Sequence, residues 1–404
     1  MTQTQVKRPV LIGISVAAVF MINLMTLMVG PLLVDMSKDF GISIAVAGQI
    51  ATFTAIPWIA VAVLGGPISD TYGRKPVLMV GMISLAVSAI GMGLSVNFGM
   101  AAVFRMLMGF AGTVPTTAIA IVSDFVPPNQ RGRAVGAVTF GSSFGGIIGL
   151  PLVALTSDLL SWRWSFILTG IVTIIVGLAI FLVMPSPPRR RGVKIDFISR
   201  MRPLFKQGIV WDISLVNIFS RTGLMVMMTY VASFLIIKHG YTTGDTAIPL
   251  AVISIGLMIS SVVGGRLVDS KFRLSYVPFA MVLAAVTGLA TYWLNFGSWL
   301  VIFFALVFVG AIYIPFMMVL TAFSIIGGEK LKGTAIGMVP ISNQIGFLLG
   351  PALGGLALSM GNYEAVGLLC LGIGALGALS SVLRLRQSKV EKATLAVSRY
   401  QKSM

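Results

Sequence analysis

Charge is what this chain has least of. Only 10% of its 404 residues are Asp, Glu, Lys or Arg, where a water-soluble protein carries roughly a quarter. That scarcity excludes an ordinary soluble globule. The single cysteine, Cys370, excludes an internal disulfide. The single histidine, His239, falls in a predicted outer loop, where it is a poor proton relay. Acids number twelve, and all of them map to loops or helix ends. Asp35 comes nearest to a membrane interior, but it follows Val10 by roughly 25 residues, about 37 Å of helix and past the hydrocarbon. No G-x-x-x-x-G-K-[ST] sequence is present, so ATP is not the expected energy source. The chain reads as no enzyme, with no cofactor and no metal site.

What is abundant is apolar. Ala, Val, Ile, Leu, Met, Phe, Trp, Tyr and Cys make up 57% of the sequence, in runs of about 20 residues that are each long enough to cross a bilayer. The runs fall at 10–34, 44–68, 76–96, 98–122, 132–156, 164–184, 209–236, 246–268, 275–294, 298–325, 333–358 and 363–385. In lipid each backbone must satisfy its own hydrogen bonds, which requires helices. The expected fold is an all-α membrane protein of twelve transmembrane helices.

A net charge of +17 suits nucleic-acid binding in isolation, but its distribution argues otherwise. Lys7, Arg8, Arg74, Lys75, Arg131, Arg133, the seven basic residues from Arg189 to Lys206, Arg266, Lys271, Arg273, Lys330, Lys332 and six from Arg384 onward share one face. Only Lys38, Arg163 and Lys238 fall to the other. This is the positive-inside pattern. It places both termini in the cytoplasm and implies a multi-pass protein of the cell's inner membrane, with no nucleic-acid partner. Val10 onward reads as a full span rather than a cleavable signal peptide.

The stretch LGGPISDTYGRKPVL, Leu64 to Leu78, joins the second and third spans. Gly66, Asp70, Gly73, Arg74 and Lys75 fit the pattern G-x-x-x-D-x-x-G-[RK]-[RK], with Thr71 where a basic residue is common. Here the sequence resembles the major facilitator superfamily of transporters, which carries that pattern in its loop between the second and third helices. The resemblance implies that Asp70, Arg74 and Asp124 form a breakable inner latch, with Arg131 in the same charge cluster.

The two halves repeat. Gly66, Asp70 and Arg74 recur 199 residues later as Gly265, Asp269 and Arg273, and Gly136, Gly145 and Gly149 recur 201 later as Gly337, Gly346 and Gly350. Parallel repeats of this kind build alternating access. The expected organisation is an N-terminal six-helix bundle at 1–184, a cytoplasmic linker at 185–208, a C-terminal six-helix bundle at 209–385 and a tail at 386–404. In the linker, Lys194, Phe197, Arg200, Arg202 and Phe205 suit either an anionic membrane surface or a solvated connection.

Two arginines fall inside spans, where a charge is costly and normally faces a cavity or a partner. Arg105 with Gly109 matches the family's R-x-x-x-G element, often linked to proton transfer; Arg105 snorkelling to the surface is the plainer alternative. Arg221 lies in the seventh span, opposite Asn23 of the first by the repeat. The resemblance implies a central cavity lined by the first, fourth, seventh and tenth helices. Its candidates are Asn23, Thr26, Arg105, Thr113, Asn217, Arg221, Tyr313 and Thr321, with Gln49, Thr52, Asn343 and Gln344 from neighbouring helices. Each polar residue can equally be interhelical glue. Gly145, Gly149 and Pro151 in the fifth span, and Gly350, Pro351 and Gly354 in the eleventh, read as close-packing positions. The family's exporter element G-P-x-x-G-G is degenerate in the fifth span and intact in the eleventh.

The resemblance is nearest to the bacterial drug and sugar efflux branch. It implies a monomeric, proton-coupled antiporter that exports a small amphipathic organic solute and touches membrane lipids. Two arginines without a carboxylate favour an anionic or zwitterionic substrate. The alternative is therefore an organic-anion symporter or exchanger clamping its substrate with Arg105 and Arg221. A non-transporting receptor or scaffold is the third reading.

Overall fold

The computed structural model describes residues 8–185, 204–268, 270, 273–294 and 297–402, with the side chains at 63–67, 70, 128, 129, 273, 328–334, 336 and 398–402 outside that description. Most of the predicted linker, with Lys194, Phe197, Arg200 and Arg202, lies outside the described residues. Among those described, twelve helical segments are long and apolar enough to cross a membrane, and no strand occurs.

The first six are α1 (Arg8–Leu27, continued by Val29–Asp39), α2 (Ile44–Gly48, Ile50–Phe53 and Ala55–Tyr72), α3 (Arg74–Gly93), α4 (Phe98–Met108, a tighter turn Gly109–Thr113, then Val114–Phe125), α5 (Pro128–Phe144, a wide turn Gly145–Gly149, then Leu150–Leu159) and α6 (Trp162–Val183). The next six are α7 (Gly208–His239), α8 (Ala247–Val268), α9 (Tyr276–Trp293), α10 (Ser298–Ile336), α11 (Val339–Met360) and α12 (Tyr363–Arg384). A further helix, α13 (Gln387–Lys402), occupies the expected tail.

Several boundaries depart from the hydropathy reading, among them the start of α11, at Val339 rather than 333. α1 does not stop at 34 but continues to Asp39, and α10 continues past 325 to Ile336. Hydropathy tracks the apolar stretch, whereas a helix continues into water wherever capping and tertiary packing sustain it. Asp35 is thus inside a helix rather than at its end, and half-buried.

Local chemistry sets the starts and turns. Ser43 accepts from the Val46 amide at 3.2 Å and opens α2. Asn97 Oδ1 accepts from the Met100 amide at 2.8 Å and opens α4. Between α2 and α3 the chain turns at Gly73, with φ +98° and ψ 149°, a conformation essentially confined to glycine. Gly41 (φ +64°) follows α1 and Gly240 (φ +71°) follows α7. They stand 199 residues apart, so the repeat extends to backbone conformation.

Contacts gather the chain into two units, Met1–Lys194 with Leu235–Ala251, and Ile195–Phe234 with Val252–Met404. In the first, α1 packs on α5 and α3 on α6. A Cβ added at Gly145 would stand 3.1 Å from the Leu24 nitrogen and 3.2 Å from Asn23 Cβ; one at Gly149 would stand 2.6 Å from Leu24 Cδ1. In the second unit, α11 meets α7 in the same way, with a Cβ at Gly350 falling 2.6 Å from Met225 Cβ and one at Gly354 falling 2.4 Å from the Tyr230 ring. Small residues four apart let these helices approach closely. Pro351 lies inside α11, and its carbonyl accepts from the Tyr230 hydroxyl at 2.8 Å. α9 packs on α12, where Cys370 is buried with its Cβ 2.7 Å from the place a Gly288 Cβ would take. α13 lies on α10 and buries Val390, Ala393 and Val397, three positions of one helical face.

Candidate functional site

Arg74, the first residue of α3, is aimed by the Gly73 turn at the last turns of α4. There its guanidinium pairs with the Asp124 carboxylate and donates to the Ala120 carbonyl. Both partners are partly open to water, at 19% and 34% side-chain exposure. Such a pair adds little stability and breaks readily. The other motif positions divide. Gly66 and Asp70 ride on the last turns of α2, but the Asp70 side chain lies outside the described residues. Lys75 donates to the Phe181 carbonyl of α6 at 2.8 Å and stands 5.7 Å from that ring's centroid. Arg131 donates to the Val126 carbonyl at 3.1 Å, tying down the turn into α5.

Arg105 is 1% exposed. Its Nη2 donates to the Thr26 carbonyl at 3.2 Å, while Nε and Nη1 have no partner among the described residues. The Arg105 carbonyl accepts from the Thr54 hydroxyl at 3.3 Å, just before the tighter turn of α4. Thr113 is buried in the same unit, and its hydroxyl lies 3.2 Å from where a Gly81 Cβ would be. Asn23, beside Gly145, is half-buried.

In the second unit one polar group gathers on three helices. Asn217 of α7 donates from Nδ2 to Ser342 Oγ at 2.7 Å and to Asn343 Oδ1 at 2.8 Å, both on α11. Arg221, one turn further along α7, donates from Nε to the same Asn343 oxygen at 3.1 Å. Its guanidinium carbon stands 3.7 Å from the Phe316 ring centroid and 4.6 Å from that of Tyr313, both on α10. Ring faces attract a cation most where water is excluded, and Arg221 is 4% exposed. No carboxylate lies within ion-pair distance of it among the described residues. Gln344 is buried on α11. Thr26 and Thr321 return their hydroxyls to carbonyls of their own helices, at 2.7 and 3.0 Å, and Gln49 does so with its amide at 3.2 Å. Thr52 is half-buried on α2.

Sequence reasoning set Asp35 aside, and the structure gives it partners. Its Oδ2 accepts from Ser157 of α5 and from Thr243, each at 2.9 Å. With Asp158, Ser161 and Trp162 these residues line a cavity of about 300 Å³. One turn on, Asp39 pairs with Arg163 at 2.7 Å and accepts from Trp162 Nε1 at 3.0 Å. The signal was the four-residue spacing of two acids just past an apolar run, which puts both on one face if the helix continues. In the second unit Asp212 lies 3.5 Å from both Arg384 and Lys389.

Comparison with known proteins bears on this geometry. The family model described as Major Facilitator Superfamily matches residues 15–328. The chain is 25% identical over 381 residues to the "Uncharacterized MFS-type transporter YwfA" of Bacillus subtilis, covering 93% of this chain and 92% of that one. It is 27% identical over 274 residues to a "Probable sugar efflux transporter" of Helicobacter pylori, covering 67% and 68%. Among the curated relatives it matches, the aligned part runs from 64% of one to 92% of another. A crystal structure of a D-xylose-proton symporter shares its fold, with a TM-score of 0.75 at 16% identity over 94% of this chain and 98% of that one.

Proposed function

The chain belongs to the Major Facilitator Superfamily, a multi-pass membrane transporter of small molecules, and on that premise we propose that it exports an amphipathic organic solute by proton-coupled antiport. The observation that carries the reading is the Arg74–Asp124 pair, which joins the start of α3 to the last turn of α4. A half-exposed ion pair held by a glycine turn suits a contact that forms in one state and breaks in the other. A static scaffold has no use for it.

Arg105 supports the coupling. A buried guanidinium with two nitrogens unpartnered among the described residues repels a second positive charge nearby. The resemblance to a sugar efflux transporter supports the outward direction. The proposal includes the inner membrane, both termini in the cytoplasm, and a monomer. Carriage of an organic anion is a second reading, favoured by Arg221, which has no carboxylate partner among the described residues.

The test is flux in liposomes. Purified protein under an imposed pH gradient should move members of a panel of labelled pentoses and amphipathic dyes, and a protonophore should stop the movement. Flux that survives the protonophore overturns the proton coupling.

A further inference from the structure

We propose that Asn217, Arg221 and Asn343 form a substrate subsite for a carboxylate that bears a hydroxyl or ammonium donor on the neighbouring carbon. This deepens the transport reading and rests on it. Two independent observations carry it, both in the second unit.

The first is the guanidinium. Phe316 and Tyr313 stand against Arg221, and its Nε is used by Asn343. The positive charge therefore meets ring faces, an amide oxygen and the Tyr313 hydroxyl, with no carboxylate to neutralise it among the described residues. An arginine has five N–H donors in a planar fork, so the Nη edge suits the two oxygens of one carboxylate. Tyr313, Phe316 and Asn343 are themselves half-exposed, so the buried cation lies one side chain below the surface of its unit.

The second is Asn217. It is fully buried, and its Nδ2 serves both Ser342 and Asn343, yet its Oδ1 has no partner among the described residues. A buried acceptor without a donor is costly and calls for explanation. Asn217 and Arg221 are four residues apart and share one face of α7. An unmet acceptor therefore lies one helical turn from a cation with no counter-anion among the described residues, complementary to a donor beside a carboxylate. A neutral polyol would leave the charge unmet. A plain fatty acid would leave the acceptor unmet.

The experiment uses the full-length protein in detergent and measures binding by calorimetry, with thermal stabilisation as the second readout. The probes are D-gluconate and mandelate, each a 2-hydroxy acid, with sorbitol as the neutral counterpart of the first and hexanoate as an acid lacking the hydroxyl. At least one hydroxy acid should bind ten times more tightly than sorbitol and hexanoate. Arg221→Gln should weaken that binding at least tenfold. Asn217→Leu should erase the preference over hexanoate while hexanoate binding persists. Arg221→Lys keeps the charge and guards against misfolding: it should melt near wild type while binding several-fold more weakly.

Equal binding of sorbitol, unchanged affinity in Arg221→Gln, or no binding of either hydroxy acid overturns the assignment. Flux separates the two ideas. Arg221-dependent binding without transport leaves the subsite standing and removes the transport reading. Transport of neutral sugars with no acid binding does the reverse.

Discussion

Gly346 of α11 lies so close to Arg221 that a Cβ built on it would fall 2.4 Å from the arginine's own Cβ and 2.9 Å from the Ile218 carbonyl. The contact holds the α7 backbone directly against α11, and it sets the height at which the guanidinium meets Asn343.

Gly346→Ala should therefore disturb both stability and binding. Backbone atoms cannot swing aside, so overpacking should cost about 1–3 kcal/mol. Gly372→Ala in α12, where nothing lies within 4 Å, is the control and should melt as wild type. Thermal unfolding in detergent compares the two; equal melting would remove the close-packing argument.

Arg74→Gln and Asp124→Asn should behave differently from a core change. Because the pair is partly exposed, either substitution should alter stability by under about 1 kcal/mol. Flux should nevertheless fall several-fold, since the proposed latch loses its contact. The exchange Arg74→Asp with Asp124→Arg should recover part of that flux, whereas independent additive losses would argue against the pairing.

Gly73→Ala addresses the turn that aims Arg74. Alanine at φ +98° and ψ 149° is strained by about 1–3 kcal/mol. The expected result is a lower melting temperature together with the flux defect of Arg74→Gln.

Val390→Asp or Val397→Asp should release α13 from α10, because each places a carboxylate on the buried face. Limited proteolysis after Arg386 should then cut faster than in wild type. Asp212→Asn, which removes only contacts of 3.5 Å to Arg384 and Lys389, should have a much smaller effect that salt abolishes.

The helices were legible because lipid leaves so few options: an apolar run of about 20 residues has to be a helix. The packing glycines were legible for a related reason. Gly145, Gly149, Gly350 and Gly354 recur at four-residue spacing, and each meets a neighbouring helix. Arg74 with Asp124 followed from the resemblance. What stayed hidden depends on partners far along the chain. Asp35 looked like a helix end until Ser157 and Thr243, 122 and 208 residues away, supplied its hydrogen bonds. Phe316 carries no polar signal, and only the α10 backbone brings it to Arg221. Thr26 and Thr321 were cavity candidates through the resemblance, and sequence does not show that their hydroxyls bond to carbonyls of their own helices.

Cys370, sealed between α9 and α12 at 1% exposure, makes the wild-type chain a nearly silent background for thiol-directed probes. A polar maleimide should leave it untouched. A cysteine introduced at an exposed site such as Ser359 or Leu395 would then be the sole reactive handle. Spin labels or fluorophores could report motion in this transporter without first stripping it of native thiols.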